Sequence, residues 1–142
     1  MNMIRNLFVM AALALTAPLQ ADTGDLEFSA GWIKQLPPSI PLRAGYLTID
    51  NPGKQPHRIV AMASVSFEAV ELHESRLVDD VMRMVELETI ELPAGQRIEL
   101  KPGGKHLMLK QPLQPLKLGD EIEVIVNFAD GSSRPVLLEV RQ

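Results

Sequence analysis

Apolar and polar residues alternate along several short stretches of the chain, most clearly toward its C-terminal end. Every second position is apolar in two neighbouring stretches: Ile122, Val124, Val126 and Phe128, then Val136, Leu138 and Val140. A period of two residues is typical of a β-strand that buries one face. The dipeptide Asp130-Gly131 separates the two stretches and is typical of a hairpin turn. The pattern therefore predicts two antiparallel strands here.

Turn-forming residues recur between the predicted strands. Eleven Pro and nine Gly are spread along the chain rather than clustered, which leaves little room for long helices. Short strands at regular intervals predict an all-β domain, either a β-sandwich or a small barrel. Residues 67–85 are ambiguous, because their apolar positions also fit one face of an amphipathic helix.

The first 21 residues have the pattern of a secretory signal peptide. Arg5 supplies a positive charge, residues 7–15 form an apolar run, and Ala21 is a small residue at the predicted cleavage site. This run is shorter than the roughly 18 apolar residues that a membrane span needs. The chain has no Cys to carry a lipid. We therefore predict that residues 22–142 form one domain in the periplasm, without a stable membrane anchor.

The amino-acid composition narrows the possible chemistry. Because the chain has no Cys, disulfides, thiolate metal sites and a cysteine nucleophile are excluded. The chain has 14 Lys and Arg and 18 Asp and Glu, which gives a formal net charge of -4. Because nucleic-acid-binding domains are typically basic, we expect no nucleic-acid partner. The sequence has no serine-hydrolase, zinc-protease or phosphate-loop signature, and we do not expect an enzyme.

Two histidines and two methionines are the candidate ligands of a metal site: His73, Met84, His106 and Met108. If their segments are strands, each of the four lies on the face opposite the neighbouring core residues. That placement is unusual for methionine, which is usually buried. Imidazole nitrogen and neutral thioether sulfur together suit Cu(I) better than zinc, calcium or magnesium. Taken singly, each residue has an ordinary alternative, a surface histidine or a core methionine.

The spacing of these four residues resembles that of a known family. His73, ten residues, Met84, twenty-one residues and His106-Leu107-Met108 match the pattern of the periplasmic Cu(I) chaperones of the PCu(A)C type. Further similar segments cover nearly all of residues 25–140; they lie at residues 30–32, 45–47, 70–74, 81–84, 92–95 and 100–108. Many members have Met directly after the first histidine, where this chain has Glu74.

The resemblance implies a cupredoxin-like Greek-key β-sandwich or barrel, with strands in residues 67–85. It implies one Cu(I) ion per chain, bound by His73, Met84, His106 and Met108. A second copper is not expected, because no His- and Met-rich tail precedes Gln142. The implied function is delivery of copper for assembly of the binuclear copper centre of cytochrome c oxidase. The implied partners are the copper-accepting oxidase subunit and a thiol-based copper assembly factor.

Two other functions remain open on the sequence alone. A periplasmic copper-buffering or resistance protein would have the same site but no dedicated oxidase recipient. A cupredoxin-like interaction module would bind no metal. Met82 lies two residues before Met84 and on the same strand face, so it is either a further sulfur beside the site or a packing residue, and we favour packing. Four nearby carboxylates are interpreted as a solvated acidic face: Glu71, Glu74, Glu86 and Glu88.

Overall fold

The structure is a computed structural model that describes residues 25–142, so the predicted signal peptide and its cleavage site lie outside the described residues. These residues form ten strands that join in one hydrogen-bonded sheet. In chain order the strands are β1 (Glu27–Lys34), β2 (Leu42–Asp50), β3 (His57–Ala63), β4 (Phe67–Val78), β5 (Val81–Leu87), β6 (Ile90–Leu92), β7 (Arg97–Leu100), β8 (Lys105–Pro112), β9 (Glu121–Phe128) and β10 (Ser133–Arg141).

Seven of the strands close into a barrel, in the order β4-β8-β2-β1-β10-β9-β3, with β3 returning to β4. The other three are appended: β5 to β4, β6 to β3 and β7 to β2. The strand pair β1–β10 is parallel, and the other pairings are antiparallel. The all-β, cupredoxin-like prediction is therefore confirmed. In the described part of the chain no helix is long and apolar enough to span a membrane.

The predicted alternation of faces is present in β9 and β10. The apolar positions of both strands point into the barrel and are buried, whereas several intervening positions are exposed. Asp130 and Gly131 lie in the turn between the strands, and Gly131 has a φ of 86°. A left-handed conformation of this kind suits glycine, which has no Cβ to clash. The hairpin prediction is confirmed.

The ambiguous residues 67–85 form two strands, β4 and most of β5, joined by a tight turn. Asp79 and Asp80 make this turn with φ values of 50° and 61°. Two successive positive φ angles match the type I′ turn, whose twist suits a two-residue hairpin. The strand assignment implied by the family resemblance is confirmed. Because β5 bonds only to β4 among the described strands, it is an edge strand outside the barrel.

Candidate metal centre

The four predicted ligands lie on neighbouring strands in the order β5-β4-β8. One register row crosses the three strands at Leu87, Leu72 and Leu107. Leu72 and Leu107 of that row are buried in the core. Side chains one residue along each strand point to the opposite face. His73 and His106 therefore lie on the outer face of the barrel wall, as the sequence pattern predicts.

His73 is the central residue of the group. It lies directly opposite His106 in the β4–β8 pair, and the two ring centroids are 6.0 Å apart. Met108 is paired with Glu71, two residues before His73, and Met84 is paired with Ser75, two residues after it. Both methionines are thus diagonal neighbours of His73. Diagonal Cβ atoms are about 7–8 Å apart, still within reach of long side chains.

Each histidine uses one ring nitrogen to hold its orientation. His73 Nε2 donates to Glu71 Oε2 at 2.8 Å, and His106 Nδ1 donates to the Gly104 carbonyl oxygen at 3.0 Å. Because carboxylate and carbonyl oxygens only accept, these two nitrogens carry the protons of the neutral rings. The opposite nitrogens, His73 Nδ1 and His106 Nε2, therefore present lone pairs.

Those two lone-pair nitrogens are buried without a hydrogen-bond partner. Among the described residues, the buried side-chain polar atoms that lack a partner are His73 Nδ1, His106 Nε2 and Arg43 Nε. An unpaired buried polar atom is costly, and a bound metal ion is one of the groups that can satisfy a buried imidazole nitrogen. The two imidazole nitrogens thus have the chemistry of metal ligands, and they belong to rings whose centroids are 6.0 Å apart.

Glu71 fixes the orientation of His73 through a short hydrogen-bond chain. Its second carboxylate oxygen, Oε1, accepts from Lys110 Nζ at 2.7 Å. The hydrogen bonds from Lys110 and then from His73 hold the pKa of the Glu71 carboxyl below its usual value. Glu71 is therefore an anion at neutral pH and a strong acceptor for the His73 N–H. A carboxylate that orients a histidine in this way is a common partner of metal-binding imidazole.

The interpretation of the four carboxylates as a uniformly solvated face is wrong for two of them. The Glu71 side chain is only 24% exposed. Glu74 accepts from Arg76 Nε at 2.5 Å and lies 3.4 Å from Lys105 Nζ. The sequence did contain a signal for Glu71, since a residue two positions before His73 shares its strand face. The lysine partners come from another strand, and only the register places them there.

The two predicted ligand methionines differ in exposure. Met84 is 62% exposed on β5, whereas Met108 is half-buried on β8. Met82, also on β5, is 60% exposed, so its interpretation as a packing residue is wrong. By contrast His106 is 4% exposed although it lies on the outer face. The structure brings the two histidines together and places one methionine on each side of them.

The donor set fits a soft monovalent ion. In residues 25–142 no group of three or more His, Cys, Asp and Glu side chains is arranged to hold a metal ion. The available donors are two neutral imidazole nitrogens and two thioethers, and thioether sulfur is a soft ligand that selects Cu(I). These residues therefore match the chemistry of the ion that the sequence pattern implies.

Comparisons with known proteins identify the family and the fold of the chain. The family model LpqE-like, described as a lipoprotein family, matches residues 26–140. A protein of Leifsonia xyli subsp. xyli (strain CTCB07) that carries a lipoprotein name, Lxx21020, is 31% identical over 133 residues. That alignment covers 93% of this chain and 78% of the relative.

Solved structures extend the comparison. The copper-bound PCuAC domain from PmoF2 superposes with a TM-score of 0.69 at 19% identity, covering 83% of this chain and 93% of that domain. The Cu(I) form of DR1885 from Deinococcus radiodurans is 30% identical with a TM-score of 0.61. It matches over 78% of this chain and 74% of its own. On these matches, the chain belongs to the LpqE-like family, whose fold is that of the PCuAC domains.

Proposed function

We propose that this protein is a periplasmic Cu(I) chaperone that holds one ion through His73, Met84, His106 and Met108. The observation that carries the proposal is the pair of buried, unpartnered nitrogens, His73 Nδ1 and His106 Nε2, on directly opposed residues of β4 and β8. Their protonated nitrogens are occupied by protein acceptors. An ion between the two lone pairs would satisfy both buried atoms at once.

The ligand set favours capture and release over permanent binding. All four side chains are neutral when they coordinate, so they do not offset the charge of the ion. A thiolate acceptor adds a negative charge and would bind Cu(I) more strongly. Met84 is the exposed ligand, so we expect the incoming donor to replace Met84 first. Transfer would then proceed by stepwise ligand exchange, without covalent chemistry and without enzymatic turnover.

The surroundings of Met84 suit contact with a protein acceptor. Around the β4–β5 hairpin the exposed apolar side chains are Leu77, Val78, Val81, Met82 and Met84. Exposed apolar side chains that lie together mark interaction surfaces in many soluble proteins. The family resemblance suggests the recipient: the binuclear copper centre of cytochrome c oxidase, with a thiol-based assembly factor as an intermediate partner. Export of residues 22–142 would place the site in the same compartment as that centre.

Cu(I) titration against a chromophoric chelator tests the site directly. We expect one ion per chain in residues 22–142, and a loss of affinity of at least about tenfold in Met84→Leu and in Met108→Leu. Met82→Leu is the matched control, because Met82 lies on the same strand as Met84 with nearly the same exposure. Equal affinity of all four proteins would refute the ligand set. X-ray absorption of the loaded protein should show both nitrogen and sulfur neighbours.

Delivery requires a separate test. A deletion strain grown under copper limitation should lose cytochrome c oxidase activity, and added copper should restore it. Met84→Leu in the same strain should behave like the deletion. Normal oxidase activity combined with increased copper sensitivity would instead support the copper-buffering function.

A further inference from the structure

A cavity of about 310 Å³ opens at one mouth of the barrel, away from the metal-binding face. Its walls come from the loop after β1, the start of β2, the end of β8 and the loop that follows. Four prolines and three leucines make much of the lining, together with the side chains of Gln35, Gln111, Gln114 and Arg43. No acidic residue lines the cavity, so its single ionic side chain is a cation.

Arg43 is a deeply buried part of this wall. The residue is 3% exposed and is paired in register with Leu109, which is fully buried in the core. Met108, one residue earlier, points to the opposite face of the sheet. The cavity and the predicted metal site are therefore on different sides of β8.

The guanidinium of Arg43 is only partly satisfied by the protein. Nη1 donates to the carbonyl oxygens of Ile40 at 2.6 Å and Leu42 at 2.7 Å. Nε is buried and has no hydrogen-bond partner. Within residues 25–142 no carboxylate lies within 4 Å of this guanidinium. The Nε–Nη2 edge, which carboxylates bind side-on through two parallel hydrogen bonds, is therefore unused.

An unpaired buried cation is unfavourable, and this one stays charged. Desolvation lowers the pKa of Arg43, yet a guanidinium is not deprotonated in proteins. Burial of such a group without a counter-charge destabilises the folded chain unless something else compensates. A carboxylate at the free edge would supply both the missing charge and the missing acceptors.

We propose that this cavity binds a small organic carboxylate, held side-on by Nε and Nη2 of Arg43. The ligand is small because the cavity volume is at the lower end of the range for ligand sites. Its body is at least partly apolar, because proline and leucine side chains form much of the wall. The side chains of Gln111 and Gln114 add amide groups that can bond a polar substituent next to the carboxylate, whereas the Gln35 amide is already bonded to Leu36 N and to the Leu116 carbonyl oxygen.

Metal-free protein and a matched pair of probes test the proposal. N-acetylalanine carries a carboxylate, and N-acetylalaninamide replaces it with a neutral amide of nearly the same shape. In a ¹H–¹⁵N NMR titration we expect saturable shifts of the Arg43 Nε–H signal and of backbone amides around Gln111 with the acid. The acid should bind at least about tenfold more tightly than the amide.

Two variants complete the test. Arg43→Lys keeps the charge but lacks the side-on edge, so we expect at least about tenfold weaker binding of the acid. Arg97→Lys is the control, since Arg97 is an exposed arginine that already pairs with Asp50. Equal binding of acid and amide, no shift with the acid, or unchanged binding in Arg43→Lys would each overturn the proposal. If Arg43→Lys does not fold, the comparison of the two probes on the unchanged chain decides.

Discussion

At the scale of single residues, the site depends on which nitrogen of each histidine carries the proton. In His73 the proton is on Nε2 because Glu71 accepts it, and in His106 it is on Nδ1 because Gly104 accepts it. The two rings thus keep different nitrogens free of protons, Nδ1 in His73 and Nε2 in His106, and both of these atoms are buried without a hydrogen-bond partner among the described residues. The tautomer of His73 depends on the Glu71 side chain, so it can be tested by substitution of Glu71.

Glu71→Ala should weaken Cu(I) binding by about 10–100-fold, because the His73 ring would lose the acceptor that fixes its tautomer and orientation. Chelator competition measures the affinity. The ¹⁵N shifts of the His73 ring report the tautomer, which a general loss of stability would not change. Glu86→Ala is the control, because Glu86 is the cross-strand neighbour of His73 on β5. An unchanged tautomer in Glu71→Ala, or equal weakening by both substitutions, would contradict the role of Glu71.

At the scale of strands, the β4–β5 hairpin carries Met84 outside the barrel. Since β5 has no second neighbour among the described strands, its position depends on the register with β4 and on the turn. That turn places Asp80 at a φ of 61°, a conformation that is strained for β-branched side chains.

Asp80→Val should destabilise the hairpin by about 1–2 kcal/mol, because valine is strained in the left-handed region. Asp80→Gly should leave it as stable or more stable. Hydrogen exchange of the β5 amides is the measurement, since an edge hairpin can open without global unfolding. Faster exchange in the valine variant should be accompanied by weaker Cu(I) binding, because β5 positions Met84. Equal exchange in the two variants would show that the turn does not hold β5.

The β9–β10 hairpin allows a test of pH dependence. Asp130 Oδ1 accepts from the hydroxyl of Ser132 at 2.5 Å and from its backbone N–H at 2.7 Å. These bonds lower the pKa of the Asp130 carboxyl. Because the folded-state pKa lies below the unfolded one, the ionised carboxylate adds stability above the unfolded value, and this stability is lost as the pH falls through the folded value.

Urea unfolding of the wild type and of Asp130→Asn should show this dependence. The wild type should be more stable near neutral pH, and the difference should shrink as the pH falls through the ordinary aspartate pKa of about 3.9 and below it, where the folded-state carboxyl is protonated. Unfolding free energies at several pH values measure the difference. A difference that is the same at every pH would mean that the charge of Asp130 does not contribute.

These strands also show how far the sequence could be interpreted without the structure. The alternation of Ile122, Val124 and Val126 predicts both the strand and its buried face, because a period of two has only one geometric meaning. Residues 67–85 could not be assigned in that way, since their apolar positions fit two periods. The pairing of Glu71 with Lys110 depends on the register between β4 and β8, and the lack of a carboxylate near Arg43 among the described residues depends on where the neighbouring loops lie. The pattern of apolar and polar residues within one segment encodes neither.

At the scale of the whole molecule, the candidate ligands come from two parts of the sheet: the closed barrel, whose strands have a neighbour on each side, and an appended strand that is bonded on one side only among the described strands. His73, His106 and Met108 lie on strands of the closed barrel, whereas Met84 lies on the appended strand β5. An ion bound by all four would link β5 to the barrel wall. A ligand at 100 times its dissociation constant adds about 2.7 kcal/mol to stability, and we expect part of this effect to appear as slower opening of β5.

Hydrogen exchange with and without Cu(I) tests this link. Amides of β5, Val81–Leu87, should exchange at least about tenfold more slowly in the loaded protein, because each opening would break the bond to Met84. Amides of β10, which lies opposite the β4–β8 pair in the closed strand order, are the internal control. In Met84→Leu, loaded with enough Cu(I) to occupy the remaining ligands, protection should persist in β4 and β8 but not in β5. Unchanged exchange of β5 in the loaded wild type would mean that Met84 does not bind the ion, and that the site belongs to the barrel wall alone.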